Sequence, residues 1–332
     1  MRLVLAGVAA LLLLIVIYFA TRPKPAPVIL GAGTRSIAIS ENGKLLALAT
    51  RDGMLRLVAI DSGHTLARAS LPAPATAVSF GPDGAVLALI GSRLMIFSSD
   101  LSSHSEREAQ PNARDMIWSP ALESAIVASG GADNLHPSLE FFPAQPMGLA
   151  QSTSQLVDLV SWAPPVNLAA SENGLIIGVT LNTNRRANVI FYDTKLHRVT
   201  GSSLVEGRPE GIALAKNGDR AWAVSPDAER VTEITARTAT KNDYPKSAST
   251  SPLGMIAVNE TTRRAYTTGA LTFPEVDLDQ HHIARTFELP TNSAGIVLSS
   301  DGNTAYLTFK DANKIGVLNV QDMSSYREIK IR

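Results

Sequence analysis

The sequence predicts an all-β fold of about seven similar units with four strands each, and three observations support this prediction. Short apolar runs rich in Val, Ile, Leu and Ala recur from residue 34 onward. Glycine-containing turns return at intervals of about 40 to 50 residues. The apolar period of a helix is absent from this region. Repeats of this kind are typical of β-propellers, whose blades bury their apolar faces against one another in a ring. A β-solenoid is the alternative fold.

The first unit shows the pattern clearly. Strands at 36–40 and 45–49 flank the turn Glu41-Asn42-Gly43-Lys44, and 54–60 and 65–70 form the third and fourth strands. Asn-Gly and Asp-Gly between apolar runs predict hairpins in which both turn residues adopt positive φ. The turn returns at Asp83-Gly84, Asn173-Gly174, Asn217-Gly218 and Asp301-Gly302, with degenerate versions near 121–123 and 259–261.

Several of these segments resemble the repeats of YVTN-type (WD40-like) propellers. The resemblance is carried by second strands at 265–268 (Ala-Tyr-Thr-Thr) and 305–308 (Ala-Tyr-Leu-Thr), by unit openings at 208–214 and 251–258, and by third strands ending in Asp at 189–193 and 57–61. It implies a seven-bladed β-propeller of four-stranded blades. It does not select a function, because that superfamily contains lactonases, a quinoprotein amine dehydrogenase subunit and non-catalytic scaffolds.

The N-terminus predicts a membrane segment. Leu3 to Ala20 are 18 residues without a charge, about the minimum length for a helix that crosses a bilayer. We expect residues 1–21 to form a transmembrane signal anchor, 22–33 a Pro-rich spacer, and 34–332 the propeller. A cleaved signal peptide is the alternative, although Tyr18 is bulky for a cleavage site. The predicted location is the inner membrane with the propeller in the periplasm, or the periplasm after cleavage. Charges on both flanks leave the orientation open.

Unit three departs from the pattern. Residues 143–165 predict a fourth strand with an insertion, and insertions in repeat proteins often map to a binding face.

Composition excludes some functions. The chain has 30 basic and 30 acidic residues and no cysteine, which argues against nucleic-acid binding and rules out thiolate chemistry. Gly-x-Ser-x-Gly, phosphate-loop and His-Glu-x-x-His motifs are absent. The sequence therefore predicts no catalytic residue, no cofactor and no metal site. His281 and His282 are interpreted as an exposed turn, and Trp118, Trp162 and Trp222 as core residues.

Loops at one face of the ring hold the candidate binding residues. These loops lead into the innermost strands and join strands two and three. They carry Arg35, Arg51, Asp52, Arg114, Asp115, Arg208, Glu210, Lys310 and Asp311, together with Asp133, His136, Arg185 and Arg186. Solvation alone would also explain polar loops, and adjacent pairs such as Arg114 and Asp115 could neutralise each other.

The leading hypothesis is a membrane-anchored module that binds another envelope or membrane protein. The alternatives are an enzyme, either a lactonase-like hydrolase or a propeller subunit of a quinoprotein oxidoreductase, and a small-molecule sensor or carrier. The enzyme hypothesis requires polar side chains that converge on the central channel, such as Arg35, Asp115, Arg208 and Glu210.

Overall fold

The computed structural model describes residues 35–144, 154–159, 161, 163–182, 187–244, 254–310 and 312–331. They form seven antiparallel sheets, each built from four strands that are consecutive in the chain. Blade 1 contains β1 (Ile37–Ile39), β2 (Leu45–Ala49), β3 (Met54–Ala59) and β4 (Thr65–Ser70). Blade 2 contains β5 (Ala77–Phe80), β6 (Val86–Ile90), β7 (Arg93–Phe97) and β8 (His104–Glu108). Blade 3 contains β9 (Ala113–Ser119), β10 (Ser124–Ser129), β11 (Ser138–Pro143) and β12 (Gln155–Asp158).

The remaining blades have the same order. Blade 4 contains β13 (Pro165–Ala170), β14 (Ile176–Asn182), β15 (Ala187–Asp193) and β16 (Arg198–Val205). Blade 5 contains β17 (Gly211–Leu214), β18 (Arg220–Ser225), β19 (Arg230–Thr235) and β20 (Lys241–Asp243). Blade 6 contains β21 (Ile256–Asn259), β22 (Arg264–Thr267), β23 (Thr272–Asp277) and β24 (His282–Glu288). Blade 7 contains β25 (Ser293–Leu298), β26 (Thr304–Phe309), β27 (Ala312–Asn319) and β28 (Tyr326–Lys330). Single turns of 3-10 helix lie at Pro82–Gly84 and Pro120–Leu122.

The first strand of each blade contacts the first strand of the next, and β25 contacts β1, so the sheets form a closed ring. A hydrophobic cluster fills each of the seven gaps between neighbouring blades in the described part of the chain. The prediction of a seven-bladed propeller is confirmed. The predicted anchor at 1–21 and spacer at 22–33 lie outside the described residues.

Blades 7 and 1 close the ring through side chains, because no described strand is shared between them. Ile37 and Leu48 of blade 1 pack with Tyr306, Ile315 and Ile329 of blade 7. The closure therefore depends on the fit of apolar surfaces and not on a strand ladder.

Hairpins between the first and second strands lie where the sequence predicts them, but their conformation differs from the prediction. In blade 1, Gly43 has φ +68° while Asn42 does not adopt positive φ. The Ser40 hydroxyl donates to Asn42 Oδ1 (2.8 Å) and accepts the Leu45 N–H (2.9 Å). Side-chain bonding of this kind stabilises the turn, so only the glycine needs the left-handed region. Asp83-Gly84 alone among the five predicted turns has positive φ at both residues.

A threonine near the end of the second strand recurs in blades 4, 6 and 7. The hydroxyls of Thr180, Thr268 and Thr308 accept the N–H of Asn167 (3.0 Å), Met255 (2.8 Å) and Gly295 (2.8 Å), respectively. Each bond satisfies a backbone donor of the innermost strand or of the residue just before it. Two of these threonines belong to the motifs that resemble YVTN repeats.

In blade 3, β12 pairs with β11, which confirms the predicted fourth strand. The centre of the predicted insertion, residues 145–153, lies outside the described residues.

Candidate functional site

The two faces of the ring differ. We call the face where the chain enters the innermost strands the loop face, and the face with the hairpins between first and second strands the hairpin face. The loops of the loop face carry those candidate residues that the structure describes. A cavity lies at the hairpin face.

Arg35 crosses the channel at the loop face. It precedes β1 in blade 1, and its Nε donates to Asp115 Oδ2 of blade 3 (3.1 Å). Its Nη2 also donates to Asn167 Oδ1 (3.4 Å) and to the Leu168 carbonyl oxygen, and both of these residues lie in blade 4. Because blades 3 and 4 stand across the ring from blade 1, this side chain spans the lumen and occupies its loop-face end.

Asp115 is the buried partner in this contact, with 1% of its surface exposed. Its carboxylate also accepts the N–H of Leu168 (2.9 Å) and of Met116 (2.9 Å). Burial raises the pKa of Asp115, while the Arg35 charge and these hydrogen bonds act in the opposite direction. The group is thus a satisfied buried carboxylate that ties three blades together.

The sequence allows Asp115 to be neutralised by its neighbour Arg114, but in the structure its cationic partner is Arg35. Successive side chains of a strand point to opposite sides, so Arg114 is exposed while Asp115 is buried. Asp52 has two partners in its own blade. Its carboxylate accepts a hydrogen bond from the Thr50 hydroxyl, and its Oδ2 lies 3.5 Å from Arg56 Nη2.

Arg208, Glu210 and Lys310 lie near one another at the loop face. Arg208 Nε is 3.3 Å from Asp227 Oδ2. Burial raises the pKa of Glu210, and the charges of Arg208 and Lys310 oppose that effect. Arg208 and Lys310 are exposed. His136 pairs with Asp133 (2.8 Å). Asp311, Arg185 and Arg186 lie outside the described residues.

At the hairpin face, the turns of blades 4 to 7 are bonded to one another. The Glu172 N–H donates to the Lys216 carbonyl oxygen (3.0 Å), and the Lys216 N–H donates to Glu260 Oε1. Asn259 Nδ2 donates to the Gly302 carbonyl oxygen (3.0 Å). These bonds join four consecutive hairpins into a continuous half-ring.

The hairpins of blades 1, 2 and 3 are not joined in this way by any hydrogen bond among the described residues. A Cβ on Gly43 of blade 1 would meet nothing within 4 Å, whereas one on Gly218 of blade 5 would lie 2.8 Å from Ile176 Cγ1. We call this unsealed part of the hairpin face the open sector.

Two prolines remove backbone donors from the open sector. Pro82 occupies in blade 2 the position that Lys216 occupies in blade 5, and Pro120 occupies it in blade 3. Proline has no N–H, so it cannot make the bond that Lys216 makes to the next hairpin. Both prolines also begin turns of 3-10 helix.

The open sector holds a cavity of about 1160 Å³. Half-exposed Ile39, Phe80 and Trp118, near the ends of the innermost strands of blades 1, 2 and 3, contribute its apolar surface. One side of each residue packs into the cluster between blades. A cavity of this size and composition can bind an apolar or aromatic group of a ligand or partner.

Trp118 was interpreted from sequence as a core residue, and the structure shows that it lines the cavity. Trp222 is fully buried, as predicted. Trp162 lies outside the described residues.

His281 lies in the predicted turn, between β23 and β24, and is half-exposed. Its ring stacks on Tyr244 at a centroid distance of 4.8 Å, and its Nε2 is 4.0 Å from Glu233 Oε2. His282 begins β24. Within the described ranges, no group of three or more His, Asp or Glu side chains could hold a metal ion.

Comparison with known proteins shows the fold. No family model matches the sequence, and no curated protein matches it. Hydrazine synthase of Kuenenia stuttgartiensis is similar in structure, with a TM-score of 0.76 and 13% identity over 90% of this chain and 98% of that one. Dihydro-heme d1 dehydrogenase NirN in complex with DHE has a TM-score of 0.65 and 15% identity over 91% of this chain and 66% of that one. Both have low sequence identity, so they show a shared propeller fold and nothing more.

Among the described residues, no helix is long and apolar enough to span a bilayer.

Proposed function

We propose that this protein is an interaction module of the bacterial envelope, in which a YVTN-like propeller is tethered to the inner membrane and binds another envelope or membrane protein. Residues 1–21 would form the anchor and 22–33 the spacer, with the ring in the periplasm. The uncharged run from Leu3 to Ala20 supports this arrangement.

The observation that carries the proposal is the asymmetry of the hairpin face. Four hairpins are bonded into a closed half-ring, and three leave an apolar and aromatic cavity open to solvent. Exposed apolar surface in a concave site costs free energy in water, so it is characteristic of binding surfaces. A partner that covers Phe80 and Trp118 would recover that free energy.

The test is retention of a partner by the full-length protein, extracted from its native membrane in mild detergent after crosslinking. Ser79→Trp places a bulky side chain at the half-exposed wall of the cavity. Leu66→Trp is the matched control, because Leu66 is 59% exposed on the outermost strand of the neighbouring blade. We expect the Ser79 variant to lose the partner and the Leu66 variant to keep it. If the unmodified protein retains no specific protein, the proposal is wrong.

A propeller subunit of an oxidoreductase is a second candidate, because one similar structure is named as a dehydrogenase in complex with DHE. Arg35 provides a partly exposed polar group inside the channel for such a role. The measurement is the visible absorption spectrum of the full-length protein purified from its native membrane. A redox chromophore bound in stoichiometric amount would support this candidate, and a colourless protein with its partner attached would overturn it.

A further inference from the structure

The open sector carries unpaired negative charge. Glu41, Asp83 and Glu123 line the cavity, one from each of blades 1, 2 and 3, and none of the described lining residues is Lys, Arg or His. All three carboxylates are exposed. Within the described part of the chain, none of them forms an ion pair. The apolar surface therefore has an acidic border without internal compensation.

The same turn on the same face of blade 4 carries a carboxylate that does have a cationic partner. Glu41 and Glu172 occupy the same place in identical Ser-Glu-Asn-Gly turns, at 40–43 and 171–174. Glu172 Oε2 lies 3.1 Å from Lys216 Nζ of the next blade. Beside Glu41 the corresponding residue of the next blade is Pro82, which carries no charge. The sealed half thus neutralises this carboxylate and the open sector does not.

We infer that the open sector binds a segment of a partner protein that has an apolar or aromatic core flanked by lysine or arginine. This inference rests on the proposed function and adds the chemistry of the partner. The apolar core would cover Phe80 and Trp118, and the flanking cations would lie beside the three carboxylates. The exposed part of the Trp118 ring can also attract a cation through its π face.

The size of the cavity supports a polypeptide segment as the occupant. Pockets for small ligands hold about 300 to 1000 Å³, and this cavity of about 1160 Å³ is larger and open to solvent. It lies at the ends of three blades, so several side chains of one segment could enter it together. The acidic border would also speed association with a basic segment and would disfavour acidic ones.

The first experiment measures peptide binding to the full-length protein in nonionic detergent, by fluorescence anisotropy. The probe is a labelled synthetic peptide with a Leu-Phe-Leu core and lysines on both flanks, and its counterpart carries glutamates instead. We expect the lysine peptide to bind and the glutamate peptide to bind at least about tenfold more weakly at low salt. Equal binding of the two peptides would overturn the inference.

Three isosteric substitutions made together, Glu41→Gln, Asp83→Asn and Glu123→Gln, test the carboxylates themselves. Asparagine tolerates the left-handed conformation of Asp83, which has φ +54°, so the turn should be retained. We expect this triple variant to bind the lysine peptide about tenfold more weakly at low salt, with a smaller difference at high salt. Glu172→Gln is the control and should leave binding unchanged. Circular dichroism and thermal unfolding verify that both variants fold.

Partner retention separates this inference from the proposed function. If the unmodified protein and the triple variant retain the same envelope protein equally well, the charge inference is wrong and the proposed function stands. If the unmodified protein retains none, the proposed function is wrong.

Discussion

Arg35 and Asp115 join blades 1 and 3 across the channel, with 3.1 Å between Arg35 Nε and Asp115 Oδ2. The arginine side chain keeps 26% of its surface exposed, and the aspartate side chain keeps 2%. The desolvation penalty therefore falls mainly on the carboxylate. Removing the arginine should lower the free energy of unfolding more than removing the charge of the aspartate.

Arg35→Met should lower the free energy of unfolding by about 3 kcal/mol near neutral pH, because a buried carboxylate loses its cation. Asp115→Asn should cost less, because Arg35 can still reach water and the amide is uncharged. Urea unfolding of both variants and of the double variant measures the coupling between the two residues.

The pH dependence of the Arg35 variant tests the same mechanism. Arg35 acts to lower the pKa of Asp115, so its removal should raise that pKa further. Protonated Asp115 needs no cation, and the loss of stability should therefore shrink as the pH falls. A loss that stays constant with pH would show that packing, and not charge, explains the effect of the substitution.

Two adjacent threonines provide a test of the hydroxyl bond at the loop face. Thr268 Oγ1 accepts the Met255 N–H at 2.8 Å, whereas Thr267 Oγ1 has no hydrogen-bond partner among the described residues. Both are almost fully buried. Thr268→Val should cost about 1 to 3 kcal/mol of unfolding free energy, because it leaves a buried N–H unsatisfied. Thr267→Val is the control and should be neutral or slightly stabilising. Equal losses in the two variants would contradict this account.

Local sequence was sufficient to predict the strands, their turns and the ring, because each depends on residues that are close together in the chain. Local sequence does not predict the pairing of Arg35 with Asp115, because 80 positions separate the two residues and only ring closure brings them together.

The cavity was missed for a different reason. Alternation of apolar residues does not distinguish a side chain that is enclosed between two blades from one that is half-exposed at the hairpin face, so the sequence predicts Trp118 as a core residue. The environment of Glu41 depends on the neighbouring blade and not on its own turn, which is identical to that of Glu172. Alignment of the units would have revealed one signal, namely Pro82 and Pro120 at the position of Lys216.

Stability at alkaline pH should fall as buried tyrosines ionise. Burial, together with the charge of Glu275, raises the pKa of Tyr266 to about 12. In the unfolded chain the tyrosine ionises near its ordinary pKa of 10.0. The contribution of Tyr266 is therefore fully present below pH 10 and is lost as the pH rises toward 12. The measurement is the tyrosinate absorbance of the folded protein and of the folded Tyr266→Phe variant as a function of pH. The difference between the two curves reports the titration of Tyr266. If the substitution removes a group that titrates near pH 10 in the folded protein, the prediction fails.

Closure of the ring can be tested at Gly63, in the turn between β3 and β4 of blade 1. A Cβ at this position would lie 2.6 Å from Ile329 Cγ2 of blade 7. Gly63 has φ +70°, and Gly43 has φ +68° with open space around it, so the two positions share the backbone cost and differ only in the contact. Gly43→Ala should cost about 1 kcal/mol of unfolding free energy. Gly63→Ala should cost about 2 to 4 kcal/mol, because the methyl group also pushes blade 7 away from blade 1.

Urea unfolding measures the difference between the two glycine variants, and hydrogen exchange locates it. Amides of β1 and β28 should exchange faster in the Gly63 variant and should be unaffected in the Gly43 variant, because those strands flank the closure. Blades 1 and 7 share no strand among the described residues, so side-chain contacts, namely the apolar packing and the bond between the Ser36 and Thr308 hydroxyls, resist their separation. Equal losses in the two variants, with no change in exchange at β1 and β28, would mean that the contact between Gly63 and Ile329 contributes nothing to closure.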